Sequence, residues 1–260
     1  MCFDSGARPP IAPIAGGAID SHGFSLKASD GAEFGAYAAR AANPKGIGIV
    51  ILPDIRGLHH YYEELAERFA EHGYDAVAID YFGRTAGVGR GEARGDDFDW
   101  QTHVAQTKLS QITADTEAAV AYLRSEAGGA PGAIFTVGFC FGGSNSWQQA
   151  VAGHGISGAI GFYGRPLGPT RDGSPAPIDQ VIDYTAPLLG LFGGADQSIP
   201  QSAIDEFDRA LNKAGKAHEF KVYEGAPHSF FDRRFEQYAD ACADAWQRML
   251  SFMDGNAKSS

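Results

Sequence analysis

The chain has 260 residues and a formal net charge of -11 at pH 7, a balance that argues against nucleic acid and against an anionic membrane surface as partners. Hydrophobic residues make up 44% of it, enough for a sizeable core, yet no stretch approaches the roughly 20 consecutive apolar residues of a membrane span. The three cysteines, Cys2, Cys140 and Cys242, are odd in number and fit reduced thiols in a cytoplasm better than a disulfide framework.

In chain order, residues 1–19 hold neither a basic leader nor a long apolar run, so no signal peptide is expected. Residues 1–20 are expected as an extended segment of one 1–260 domain. Residues 46–52 are continuously apolar, as in a strand buried on both faces. Residues 61–72 place Leu65 and Phe69 on one helical face and Glu63, Glu67 and Glu71 on another, with Gly73 as the cap. A strand is expected at 75–79. A Gly-, Arg- and Asp-rich loop follows at 83–102, then a helix at 112–126.

Strands are further expected at 133–137, 158–162 and 187–192, and an alternating one at 219–223. Helices are expected at 144–151, 201–214 and 234–252. Residues 166–178 are rich in Pro and Gly and read as a second long loop. Such loops often serve as lids or substrate loops, and a solvated insertion is the other reading of each. The alternation predicts an α/β protein whose mostly parallel central sheet carries helices on both faces.

Residues Gly138-Phe139-Cys140-Phe141-Gly142-Gly143 stand between a predicted strand and a predicted helix. They match the G-x-S-x-G nucleophile elbow of α/β-hydrolases, with cysteine in place of serine. The turn leaves Cys140 at a helix N-terminus, where the dipole and unbonded N–H groups favour a thiolate and an oxyanion. A base and an orienting acid should follow it in the order acid, then histidine. Asp196 ends an apolar strand running into Gly193-Gly194-Ala195, and His228 follows the strand end at Val222-Tyr223. A lone Asp in a turn or a lone His is usually structural; their order and shared setting make the case. For the oxyanion, Phe141 supplies one N–H by position, and Ile55, in the loop after the first apolar strand, is the candidate for the second. His60 and Glu64 stand one turn apart, but no third ligand accompanies them, so no metal is expected.

Over residues 34–253 the chain resembles the dienelactone hydrolases (carboxymethylenebutenolidases). The resemblance rests on the elbow and on Pro53-Asp54-Ile55-Arg56-Gly57, Asp80-Tyr81-Phe82-Gly83-Arg84, Gly193-Gly194-Ala195-Asp196 and Pro227-His228-Ser229-Phe230. It implies a Cys140–His228–Asp196 triad and hydrolysis of a small ester or lactone without a cofactor. It also implies an acid near the thiol, here Asp54, one methylene shorter than the usual glutamate. Two arginines should hold a substrate carboxylate. Arg84 matches one; at the place of the other stands Asp232, with Arg233 next to it. An acid there would repel a carboxylate, and Arg56 and Arg165 are further sources of positive charge. Two rival readings follow. One is a carboxylesterase of this fold without dienelactone activity. The other is a thiol sensor or binding protein built on Cys140, against which the acid–base pair speaks.

Overall fold

The computed structural model describes residues 6–16, 18–232 and 234–257; Cys2 and Arg233 lie outside the described residues. Eight strands form one sheet in the order β1-β2-β4-β3-β5-β6-β7-β8. They are β1 (Ala18–Lys27), β2 (Glu33–Ala41), β3 (Ile47–Leu52), β4 (Tyr74–Ile79), β5 (Ala133–Phe139), β6 (Gly158–Phe162), β7 (Leu188–Gly193) and β8 (His218–Tyr223). β1 pairs antiparallel with β2, and β2 with β4. From β4 to β8 every pairing is parallel. This is the α/β-hydrolase architecture.

The central strands form where the sequence runs apolar without alternation. Every residue of β3, β4, β5, β6 and β7 is buried, as a parallel sheet covered on both faces requires. β8 lies at the edge and is only partly covered. Helix α1 (His60–Glu71) buries Tyr61, Tyr62, Leu65, Ala66, Phe69 and Ala70. It stops at Gly73, whose φ of +94° suits glycine and whose N–H donates to Ala70 O.

The N-terminal hairpin β1–β2 was not expected from the sequence. The loop expected at 83–102 is also more structured than its composition suggests. It contains a short helix α2 (Gly83–Ala86) and a 3-10 turn (Gly91–Arg94), and helix α3 (Trp100–Val104) begins inside it. Arg94 pins it to the sheet by donating to both oxygens of the fully buried Asp80, from Nε to Oδ1 at 3.2 Å and from Nη2 to Oδ2 at 2.8 Å, and to Gly87 O at 2.7 Å. Helix α4 (Leu109–Arg124), helix α5 (Phe141–Gln149) and helix α6 (Gln201–Lys213) lie close to their expected positions. The helix expected at 234–252 is split into a 3-10 turn (Phe235–Tyr238) and helix α7 (Ala239–Asn256). Among the described residues, no helix is long and apolar enough to cross a membrane.

Because β3 and β5 to β8 run the same way, their carboxyl ends share one edge of the sheet. The loops leaving that edge carry Ile55, Cys140, Tyr163, Asp196 and His228. Open α/β sheets bind their ligands at this edge.

Candidate active site

Cys140 caps the N-terminus of α5 with φ +55° and ψ -113°, a backbone that non-glycine residues rarely adopt. Its surroundings hold it there. Cys140 N–H donates to Phe162 O at 3.0 Å, and its carbonyl accepts from Gly143 N–H at 3.0 Å. A Cβ on Gly138 would collide with the Gly142 carbonyl, and one on Gly142 with the Leu52 and Pro53 carbonyls. Helix and sheet backbones thus approach as only glycine permits. Phe141 is the first residue of α5, so its N–H has no acceptor within the helix.

The loop after β3 is shaped by Asp54. Its Oδ1 accepts from Arg56 N–H at 2.8 Å, its carbonyl accepts from Gly57 N–H, and its own N–H donates to Tyr62 Oη at 3.0 Å. This is an Asx-turn, which a carboxylate one methylene longer would not close in the same way. The amides flanking Ile55 are therefore engaged inside the loop.

Asp196 stands in the turn after β7 and His228 in the loop after β8. His228 Nδ1–H donates to Asp196 Oδ2 at 2.6 Å. The other carboxylate oxygen accepts from Ser198, through N–H at 2.8 Å and Oγ–H at 2.6 Å. Burial raises the Asp196 carboxyl, but the bonds from His228 and Ser198 outweigh it and leave the group below its ordinary value. With Nδ1 protonated toward Asp196, Nε2 is the ring's acceptor. The histidine loop is anchored from below: Phe230 and Phe231 are fully buried, Tyr61 Oη donates to Phe231 O, and the Cys242 thiol donates to Phe230 O. Burial pushes that second thiol up to about 12, which makes it a poor nucleophile.

Cys140, Phe141, Ile55 and His228 line one cavity of about 230 Å³. Its walls are mostly apolar, including Leu109, Ile112, Leu167 and Pro177. Residues 166–178, expected as a lid or a solvated insertion, form one side of it. The segment closes through Ile178 N–H to Pro166 O and is moored by Leu109 N–H to Asp172 and by Gln148 Nε2 to Pro175 O. It brings Arg171 to the cavity beside Arg165, which precedes it, and the Arg171 guanidinium lies 5.8 Å from the centre of the Phe141 ring.

The other residues singled out in the sequence lie elsewhere. Arg84 does not line the cavity; it is held by Asp30 and by Asp115, the latter at 2.7 Å. Arg56 is buried and pairs with Asp96 at 2.7 Å. Asp54 is buried within its own loop. Asp232 is 2% exposed and accepts from Tyr163 Oη, so it does not face the cavity. Arg233 is outside the described residues. His60 turns to Glu63 rather than Glu64, and among the described residues no group of three His, Cys, Asp or Glu could hold a metal. Sequence reasoning missed Ser198, Tyr163 and Arg171. Ser198 could have been found from its place two residues after Asp196, where a hydroxyl closes an Asx-turn.

A sequence profile of the Dienelactone hydrolase family matches residues 34–256. A candidate carboxymethylenebutenolidase of Salmonella typhimurium is 34% identical over 264 residues, covering 95% of this chain and 94% of that protein. One from Saccharolobus solfataricus is 29% identical, covering 86% and 95%. The crystal structure of a candidate dienelactone hydrolase from Klebsiella pneumoniae superposes with a TM-score of 0.77 at 29% identity, covering 91% of this chain and 99% of that one.

Proposed function

The chain belongs to the dienelactone hydrolase family of α/β-hydrolases and is a small-molecule hydrolase of that family, and on that premise we propose that it cleaves a small carboxylic ester or lactone with Cys140 as nucleophile, His228 as base and Asp196 as orienting acid. The observation that carries this reading is the sharing of one cavity by Cys140, on its left-handed N-cap, and His228, whose Nδ1 is bonded to Asp196.

The chemistry runs in two halves. His228 Nε2 takes the thiol proton, and Cys140 Sγ attacks the acyl carbon. The N-terminus of α5 favours the negative charge on sulfur. The oxyanion is held by the N–H groups of Phe141 and Ile55, each worth roughly 3–4 kcal/mol in the transition state. The C–O bond breaks, the leaving oxygen takes the proton from His228, and a thioester remains on Cys140. Water then gives a proton to His228 and attacks the thioester. The C–S bond breaks, the acid departs, and the proton returns to sulfur.

A thiolate is itself a good leaving group, so the first tetrahedral intermediate tends to revert unless the leaving oxygen is stabilised. An enol ester or enol lactone therefore suits Cys140 better than an alkyl ester or an amide. The thiol must stay reduced, which fits a cytoplasmic setting. Asp54 supports the oxyanion loop by shaping it, and Arg165 and Arg171 take the place of Arg84 as the positive charges nearest the substrate.

The test is hydrolysis of a dienelactone and of p-nitrophenyl acetate by the wild-type protein and by C140A. Turnover of both that vanishes in C140A supports the family activity. Turnover of the simple ester alone, still dependent on Cys140, supports a carboxylesterase with the same machinery. Absence of both, with reversible oxidation of Cys140, supports the thiol sensor.

A further inference from the structure

Tyr163 and Asp232 are buried beside these residues and take no part in the acyl transfer. Tyr163 follows β6 with φ +37°, a left-handed backbone that non-glycine residues rarely adopt. Such strain persists only where the surroundings impose it. Here they do. Tyr163 N–H donates to Leu191 O at 2.8 Å, and Phe230 meets its ring edge-on at 5.8 Å.

The tyrosine is gripped from two points of the histidine loop. Its ring centre lies 4.9 Å from that of His228, and its Oη donates to Asp232 Oδ2 at 3.2 Å. Tyr163 lines the cavity with Cys140 and His228, but its hydroxyl proton is donated to a buried carboxylate and so is not placed to be given to substrate. Asp232 in turn does not line the cavity, so it is not placed to meet a substrate charge.

The hydrogen bond to Asp196 holds the His228 ring at Nδ1, where Ser198 Oγ also lies at 3.5 Å. The ring can still tilt about that bond, and Nε2, at the far side, would swing most. A second contact on the ring removes this freedom. We propose that Tyr163 and Asp232 are positioning residues for His228: Asp232 fixes the Tyr163 phenol, and the phenol ring fixes the plane of the imidazole that serves Cys140. This rests on the reading of Cys140 and His228 as nucleophile and base.

The experiment compares full-length Y163F, D232A and D232N with wild type and C140A, using p-nitrophenyl acetate and thermal melts. Displacing a catalytic group by an ångström costs up to about a hundredfold in rate. Y163F and D232A should therefore lose between about tenfold and a hundredfold in kcat, with KM within about twofold. D232N keeps an oxygen that can accept the tyrosine proton and should recover most of what D232A loses. Alkylation of Cys140 by iodoacetamide should slow in the same order. Wild-type kcat in folded Y163F, or a D232N as impaired as D232A, overturns the assignment. Should D232A not fold, Y163F, which differs by one hydroxyl, decides the matter. Hydrolysis that persists in C140A overturns the nucleophile instead, so the two failures are distinct.

Discussion

His228 Nδ1 lies 2.6 Å from Asp196 Oδ2, while Ser198 occupies the other oxygen of the same carboxylate. One oxygen orients the imidazole and the other is spent on the turn that aims it. Asp196→Asn keeps the shape but removes the charge and presents the wrong partner to Nδ1–H. We expect kcat to fall by about 10³–10⁴ with the fold retained. Steady-state kinetics and circular dichroism on the purified variant check this.

The same carboxylate makes a prediction about acid stability. Its folded-state pKa lies below the unfolded value, so it contributes stability above the ordinary carboxylate range and loses it as pH falls through the folded value. Ser198→Ala removes the hydroxyl bond that helps lower it and leaves the bond from the backbone N–H. The folded-state value in the variant should therefore lie closer to the unfolded one, and the stability this carboxylate contributes above the ordinary carboxylate range should be smaller. Urea midpoints measured from neutral pH down to about pH 2 should show the variant less stable than wild type at neutral pH and the two curves converging on acidification.

Gly138 and Gly142 each face backbone carbonyls that cannot rotate out of the way. Gly142→Ala should destabilise the protein by about 2–3 kcal/mol, the cost of overpacking against a rigid neighbour. It should also lower activity, because the displaced carbonyls belong to the chain leading into the Ile55 loop. Chemical denaturation gives the first number and ester hydrolysis the second.

Arginines separate by where they sit. Arg84→Ala leaves Asp115 buried without its partner; burial already pushes that carboxyl up to about 6. Breaking such a pair costs about 3–5 kcal/mol, so a lower melting temperature is expected, with no change in preference between charged and neutral esters. Arg171→Ala should do the opposite. It should raise KM about tenfold for an ester carrying a carboxylate, the worth of one charge-assisted hydrogen bond, and barely alter KM for a neutral ester.

The parts of the fold that could be read from the sequence are those set by local pattern. β3 to β7 announce themselves as apolar runs, and the elbow by its glycines. β1 and β2 do not. β1 carries Asp20, Ser21, His22 and Gly23 on a strand with little burial, and β2 is rich in alanine, a poor strand former. The positions of Cys140, Asp196 and His228 just after strand ends were legible for the same reason as the strands. The side chains misjudged are those whose partners lie far along the chain. Arg84 meets Asp115 across 31 residues, and Tyr163 meets Asp232 across 69. No local period encodes such a pairing, and an arginine in a familiar motif looks available until its partners are in place.

The most direct test is to trap the acyl-enzyme. Wild-type protein and C140A are mixed with excess p-nitrophenyl acetate, quenched in acid within a turnover, and weighed intact by mass spectrometry. The account predicts one acetyl adduct on the wild-type protein, mapped to Cys140 and removed by hydroxylamine, and none on C140A. An adduct of equal yield on C140A, or full hydrolysis by C140A, would contradict it.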